Sequence, residues 1–144
     1  MNISFPITSA EILLKCIPQR NPIVMVDTLY AFNDNEVSAG LSIDTTGLFI
    51  KNNVLQEPGL IEHMAQTVAL HTGFGFYVKN QQAPMGYIGS IANLKINRLP
   101  IAGEKIQTTA TILQEFAGIT LVDIICQINN ETIATAQMKT VIAK

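Results

Sequence analysis

The sequence predicts an α+β fold, an antiparallel sheet wrapped around one long central helix, and three observations lead there. Residues 55–79, LQEPGLIEHMAQTVALHTGFGFYVK, read as one unbroken helix. Two segments rich in β-branched and aromatic residues precede it as a hairpin, and several long segments of the same kind follow it, separated by short turns. A single long helix set between a hairpin and a run of strands has to bury its apolar sides in the sheet that those strands form.

Each element has a local reason. Thr8 and Glu11 have capping-box spacing, and Ile12, Leu13, Cys16 and Ile17 then form one side of a short helix stopped by Pro18, a lid on the larger body. After the turn at 18–22 come IVMVDTLYAF at 23–32, the turn Asn33-Asp34-Asn35 and EVSAGLSID at 36–44. Residues 45–54 are a loop or short strand. The long helix begins near Glu57, where Pro58 gives up an N–H that would be unpaired anyway and the carboxylate suits the dipole. Leu60, Met64, Val68 and His71 make one stripe; Ile61, Ala65, Ala69 and Gly73 make a second beside it, so the helix is enclosed on most sides. The small residues Ala65, Ala69 and Gly73 let a neighbouring element approach closely. Asn80-Gln81-Gln82 breaks the helix, and 85–99 form a strand carrying Gly86 and Gly89. Turns at 102–104, 117–118 and 129–130 then separate strands at 105–116, 119–128 and 131–143, a three-stranded meander.

Composition narrows the class. The 144 residues fit one domain over 1–144. Non-polar residues make up 48% and charged ones 14%, too little charge to cover the surface of an average soluble domain, so an oligomer that hides apolar surface is expected. With 9 basic and 11 acidic residues and no basic cluster, nucleic acid and anionic lipid are unexpected partners. The start of the chain has no basic leader before an apolar core and no apolar run reaches membrane-spanning length, so a cytoplasmic protein without a membrane span is expected. Cys16 and Cys126 are isolated and read as buried free thiols, with no metal-ligand spacing around them. There is no phosphate-binding glycine loop and no nucleophile elbow.

Against the apolar helix, Glu62 and Gln66 stand out, four apart on one face. A carboxylate there must be paired, neutralised or used in chemistry; the plainest alternative to a catalytic role is a Glu62–Gln66 hydrogen bond at a subunit seam. His63 and His71 read first as packing or rim histidines. His63 as a base is disfavoured, because it lies about 100° around the helix from Glu62.

Four segments, in order, resemble the (3R)-hydroxyacyl-ACP dehydratases of the hotdog fold. Ile17-Pro18-Gln19-Arg20-Asn21-Pro22 with Met25-Val26-Asp27 is similar to Leu-Pro-His-Arg-x-Pro and its following aspartate; Glu62-His63-Met64-Ala65-Gln66 to Glu-Ala-Met-Ala-Gln; Gly103-Glu104-Lys105-Ile106 to Pro-Gly-Asp-x-Leu; and 129–138 to the final hairpin. Within the family, His63-Met64-Ala65-Gln66-Thr67-Val68 resembles the dehydratase-like proteins of aryl-polyene and flexirubin pigment synthesis. The resemblance implies a hotdog fold and removal of water from a 3-hydroxyacyl thioester, with a histidine taking the α-proton, an acid protonating the departing hydroxyl and helix-end N–H groups holding the thioester oxygen. In that family the histidine and the acid come from two subunits.

Glu62 matches the acid. The histidine's position, counted back from Glu62, falls in Gly47-Leu48-Phe49 where the family has Gly-His-Phe, and Leu48 cannot take a proton. The family's Pro-Gly at the helix start is replaced by Gln56-Glu57. The resemblance thus implies a dehydratase-like protein of fatty-acid or polyene synthesis that acts on or binds acyl-ACP thioesters, with Glu62 as the acid, Leu48, Phe49 and Gln66 against the substrate, and neither metal nor cofactor. Its partners would be an acyl chain on acyl carrier protein and a second hotdog dehydratase, in a homodimer or heterodimer made by pairing sheets edge to edge. An apolar tunnel is expected to open near Glu62, Leu48 and Phe49. A non-catalytic hotdog partner subunit and an acyl thioesterase using one carboxylate on the same helix are the other readings.

Overall fold

The computed structural model describes residues 3–143. The first helix, α1 (Ala10–Cys16), is capped by Ser9 rather than Thr8: the Ser9 Oγ accepts from the Ile12 N–H at 3.3 Å, and its carbonyl accepts from Leu13 N–H. The expected Thr8–Glu11 capping box therefore does not form, because Ile12 stands three residues after the cap, and Glu11 sits in the first turn, where it meets the dipole and Lys15 one turn on. Ile17 ends the helix in an extended conformation, the one that Pro18 imposes on its predecessor.

β1 (Thr28–Asn33) and β2 (Glu36–Ser42) form the first hairpin. Two short strands, β3 (Ile50–Lys51) and β4 (Val54–Leu55), make a separate ribbon before the long helix, α2 (Glu57–Val78). At the end of α2, Asn80 takes a positive φ while its N–H donates to Tyr77 O and that of Gln81 to Phe76 O. This Schellman arrangement stops the helix with an asparagine in place of the usual glycine. β5 (Gly86–Ile96), β6 (Lys105–Phe116), β7 (Ile119–Ile128) and β8 (Glu131–Ile142) complete a six-stranded antiparallel sheet of order β1-β2-β6-β7-β8-β5. The meander β6-β7-β8 stands as expected. The turns Asn52-Asn53, Ala117-Gly118 and Asn129-Asn130 hold positive φ at both positions, the geometry that two-residue hairpins need.

α2 packs on β2, β6 and β7, with α1 across it. This is the hotdog fold: one long helix in the curve of an antiparallel sheet. Leu60, Met64 and Val68 are buried as expected, and the core side of the helix also takes in His63, Thr67, Leu70 and Phe74. The second expected stripe behaves differently. Ile61, Ala65 and Ala69 are only half-buried, so α2 is not enclosed on most sides. Gly73 alone of the small residues admits a close neighbour: a Cβ there would lie 1.7 Å from the carbonyl oxygen of Cys16.

β5 lies at the sheet edge with every residue from Gly86 to Lys95 exposed, Tyr87, Ile88, Ile91 and Leu94 among them. A long edge strand with apolar side chains is normally shielded from further pairing. Both cysteines are buried free thiols, and burial pushes each up to about 11. Among the described residues no helix is long and apolar enough to cross a membrane.

Candidate active site

The polar residues of α2 divide by face. On the core side, His63 and Gln66 grip the segment before β1. A carbonyl can only accept, so His63 Nδ1 carries the proton and donates to Met25 O at 2.7 Å, which leaves Nε2 to accept from the Thr108 hydroxyl at 2.9 Å. The ring is fully buried, and desolvation lowers its pKa to about 4 despite the Met25 bond and nearby Asp27. With both nitrogens engaged, His63 is a structural histidine. Gln66 is equally buried: its Oε1 accepts from Met25 N–H at 2.7 Å and its Nε2 donates to Ile23 O at 2.9 Å. The alternative of a Glu62–Gln66 pair is therefore not what the side chains do. Asp27 fixes the next residues, accepting from the Thr28 hydroxyl and from Ser42 N–H.

Glu62 faces the other way. It is half-buried and lines a cavity of about 640 Å³, within the usual size of a small-molecule site. Ala65 and Ala69, the half-buried small residues of α2, form the wall beside it, with Pro18-Gln19-Arg20 on one side and 82–88 on the other. The ion pairs among the described residues, Glu11–Lys15, Arg98–Glu104 and Arg98–Glu131, leave Glu62 out. Lys15 and Arg20 border the same cavity, but Arg20 is turned back onto the carbonyls of Ile17 and Gln19. Gln19 has its Oε1 enclosed without a hydrogen-bond partner, an acceptor that a ligand could satisfy.

Leu48 and Phe49 are not part of that cavity. They occupy the turn from Gly47 to Ile50, closed by an Ile50 N–H bond to Gly47 O. Phe49 packs toward Gly59 near the start of α2, whereas Leu48 is 56% exposed. Within one chain, then, Glu62 is separate from Leu48 and Phe49, and Gln66 points into the core. At the helix start Pro58 has no N–H to offer, and those of Gly59 and Leu60 donate to Gln56 O. Gln19 and Thr108 are not among the site residues expected from the sequence: Gln19 entered only as part of the Ile17–Pro22 segment that carries the resemblance, and Thr108 is one of many strand threonines. Among the described residues no three His, Cys, Asp or Glu side chains converge as metal ligands would.

A family model described as ApeP-like, ApeP dehydratase, matches residues 12–144. A 3-hydroxyacyl-[acyl-carrier-protein] dehydratase FabZ from Nitrosospira multiformis is 30% identical over 113 residues, covering 74% of this chain and 77% of the relative. The FabZ of Deinococcus radiodurans is 24% identical over 146 residues, covering 100% of this chain and 99% of that protein. Among solved structures, a chain of the dehydratase heterocomplex ApeI:P from Xenorhabdus doucetiae superposes with a TM-score of 0.84 at 14% identity, covering 92% of this chain and 91% of that one. The match over nearly all of the sequence, joined to a hotdog fold with Glu62 in a cavity beside α2, places this chain in the ApeP-like dehydratase family.

Proposed function

We propose that this chain binds 3-hydroxyacyl thioesters carried on acyl carrier protein, in fatty-acid or polyene synthesis, and supplies Glu62 as the acid of a dehydration site shared between subunits. The observation that carries this reading is Glu62 itself, half-buried, outside every described ion pair and on the wall of a cavity large enough for an acyl thioester. Dehydration removes the α-proton with a base and expels the 3-hydroxyl as water with an acid. Glu62 delivers the proton to the leaving oxygen. The base position of this chain is Leu48, which cannot act, so the α-proton goes to a histidine of a second hotdog subunit.

The exposed edge of β5 is the surface offered to that subunit. Its exposed apolar side chains and unpaired backbone favour an edge-to-edge dimer. The heterocomplex formed by a structural relative supports a heterodimer as the working form.

The experiment compares the chain alone with the chain mixed with a histidine-bearing hotdog partner, on a 3-hydroxyacyl-ACP. Alone, it should be slower by about 10²–10⁴, the worth of general-base assistance. In the complex, Glu62→Gln should abolish turnover at the shared site while size-exclusion chromatography shows the dimer intact. Unchanged turnover at that site in the Glu62→Gln complex would reduce this chain to a non-catalytic partner. In the homodimer, Leu48→His supplies a base and should raise the rate by about the same 10²–10⁴.

A further inference from the structure

Gln66 uses both ends of its amide, and both ring nitrogens of His63 are engaged. Gln19 departs from this pattern: its Oε1 is the one enclosed side-chain oxygen or nitrogen without a partner among the described residues. Such a group costs stability until something satisfies it. Its backbone, by contrast, is held. Pro18 precedes it, and the Arg20 guanidinium donates to the Ile17 carbonyl at 2.9 Å and to that of Gln19 at 2.7 Å. A fixed main chain thus carries an amide whose oxygen no hydrogen bond ties down, free to turn about its broad terminal torsion.

The position of that amide gives it a task. The chain meets α2 at Gly73, where Cys16 lies against it, and again at Gln66, which holds Ile23 and Met25. Gln19 lies between these two points, on the cavity wall that includes Ala65 and Ala69, about one and two turns along the helix from Glu62. We infer that Gln19 recognises the 3-hydroxyl of the substrate, its Oε1 accepting the hydroxyl hydrogen while Glu62 faces the same oxygen. This rests on the dehydration reading above and adds what separates a 3-hydroxyacyl group from a saturated acyl group. A hydroxyl lying against a wall of alanines has one hydrogen to give and an oxygen to be protonated. Gln19 takes the first and Glu62 serves the second. When the histidine of the second subunit removes the α-proton, the C2=C3 bond forms and the C3–O bond breaks. The oxygen leaves as water, carrying its own hydrogen and the proton of Glu62, and Glu62 is left as the carboxylate and the histidine as the imidazolium.

The test is a pair of probes that differ by one oxygen. 3-Hydroxydecanoyl and decanoyl groups, each linked to pantetheine by an amide, are titrated into the full chain by calorimetry. The hydroxyl should tighten binding by about three- to tenfold, the worth of one neutral hydrogen bond. Gln19→Met keeps most of the side-chain bulk and removes the acceptor. It should lower the 3-hydroxydecanoyl affinity to that of decanoyl and leave the decanoyl affinity as it was, a split that a merely displaced wall would not produce. A preference that survives in Gln19→Met, an equal loss for both probes, or no preference in the unmodified chain overturns the role of Gln19 while acyl binding in the cavity stands. Failure of the unmodified chain to bind either probe overturns the inference and the acyl-binding reading together.

Discussion

Adding one methyl group at Gly73 should unseat α1 from α2. The new Cβ would lie 1.7 Å from the Cys16 carbonyl oxygen and 2.6 Å from its carbonyl carbon. The obstacle is backbone and cannot rotate away. Overpacking of this kind costs about 1–3 kcal/mol and sometimes more. If α1 lifts off instead, Leu13, Cys16 and Ile17 lose their cover, at about 1.5–3 kcal/mol for one large aliphatic side chain. Opposing this is about 1 kcal/mol from replacing glycine by alanine inside a helix. The loss wins: Gly73→Ala should destabilise by about 0.5–2 kcal/mol net, or lower Tm by roughly 2–6 °C for a domain of this size. Gly75→Ala is the control. Its Cβ makes one ordinary contact, so the same substitution two residues on should stabilise by up to about 1 kcal/mol. Urea denaturation followed by far-ultraviolet circular dichroism measures both. A Gly73→Ala protein as stable as the parent would refute the close approach of α1, and with it the position of Pro18-Gln19-Arg20 on the cavity wall.

Two further outcomes follow from the core and the cavity. The folded state keeps His63 neutral down to about pH 4, whereas an exposed histidine protonates near 6.5. The unfolded chain therefore binds a proton first as pH falls, and this contribution, complete above about 6.5, should decline by roughly 2 kcal/mol between pH 7 and pH 5. His63→Gln should remove that slope, and an equal slope in the variant, measured by urea denaturation at the two pH values, would show that another group is responsible. Gln19 Oε1 has no partner, and an unmet buried acceptor costs about 1–3 kcal/mol. Gln19→Met should therefore stabilise the ligand-free protein while weakening 3-hydroxyacyl-pantetheine binding in calorimetry; a drop in stability would mean that the acceptor is satisfied in solution.

The parts of the fold that sequence reasoning located most closely are those controlled by neighbouring residues. Ala117-Gly118 and Asn129-Asn130 adopt left-handed pairs without help from the rest of the chain, and the strands on either side begin where the turns end. Pro58 and Asn80 do the same for α2. The segment 23–27 is different. It reads as strand by composition, yet β1 starts only at Thr28, because the backbone of Ile23 and Met25 is held by Gln66 and His63 from 38 to 43 positions away. The stripe Ile61, Ala65, Ala69 and Gly73 shows the same limit. Periodicity reveals an apolar face but not whether it meets a helix, as at Gly73, or a cavity, as at Ala65 and Ala69.

Three polar side chains within five residues of α2 take opposite roles because of where the helix turns them. His63 and Gln66 are three apart and both reach the same stretch of backbone, so Met25 has its N–H and its C=O held by one helix. That grip sets the course of the chain on either side of it: the residues before it reach the cavity wall at Gln19 and Arg20, and those after it enter β1. Glu62 is adjacent in sequence to His63 and about 100° around the helix, which carries it from the core to the cavity. Replacing His63 or Gln66 would therefore be felt at the cavity through the loop, as a shifted wall, whereas replacing Glu62 would leave the wall in place and, on the proposed reading, remove only the acid. Loss of affinity in the first case and loss of turnover in the second are the two signatures that separate a residue that builds this site from one that works in it.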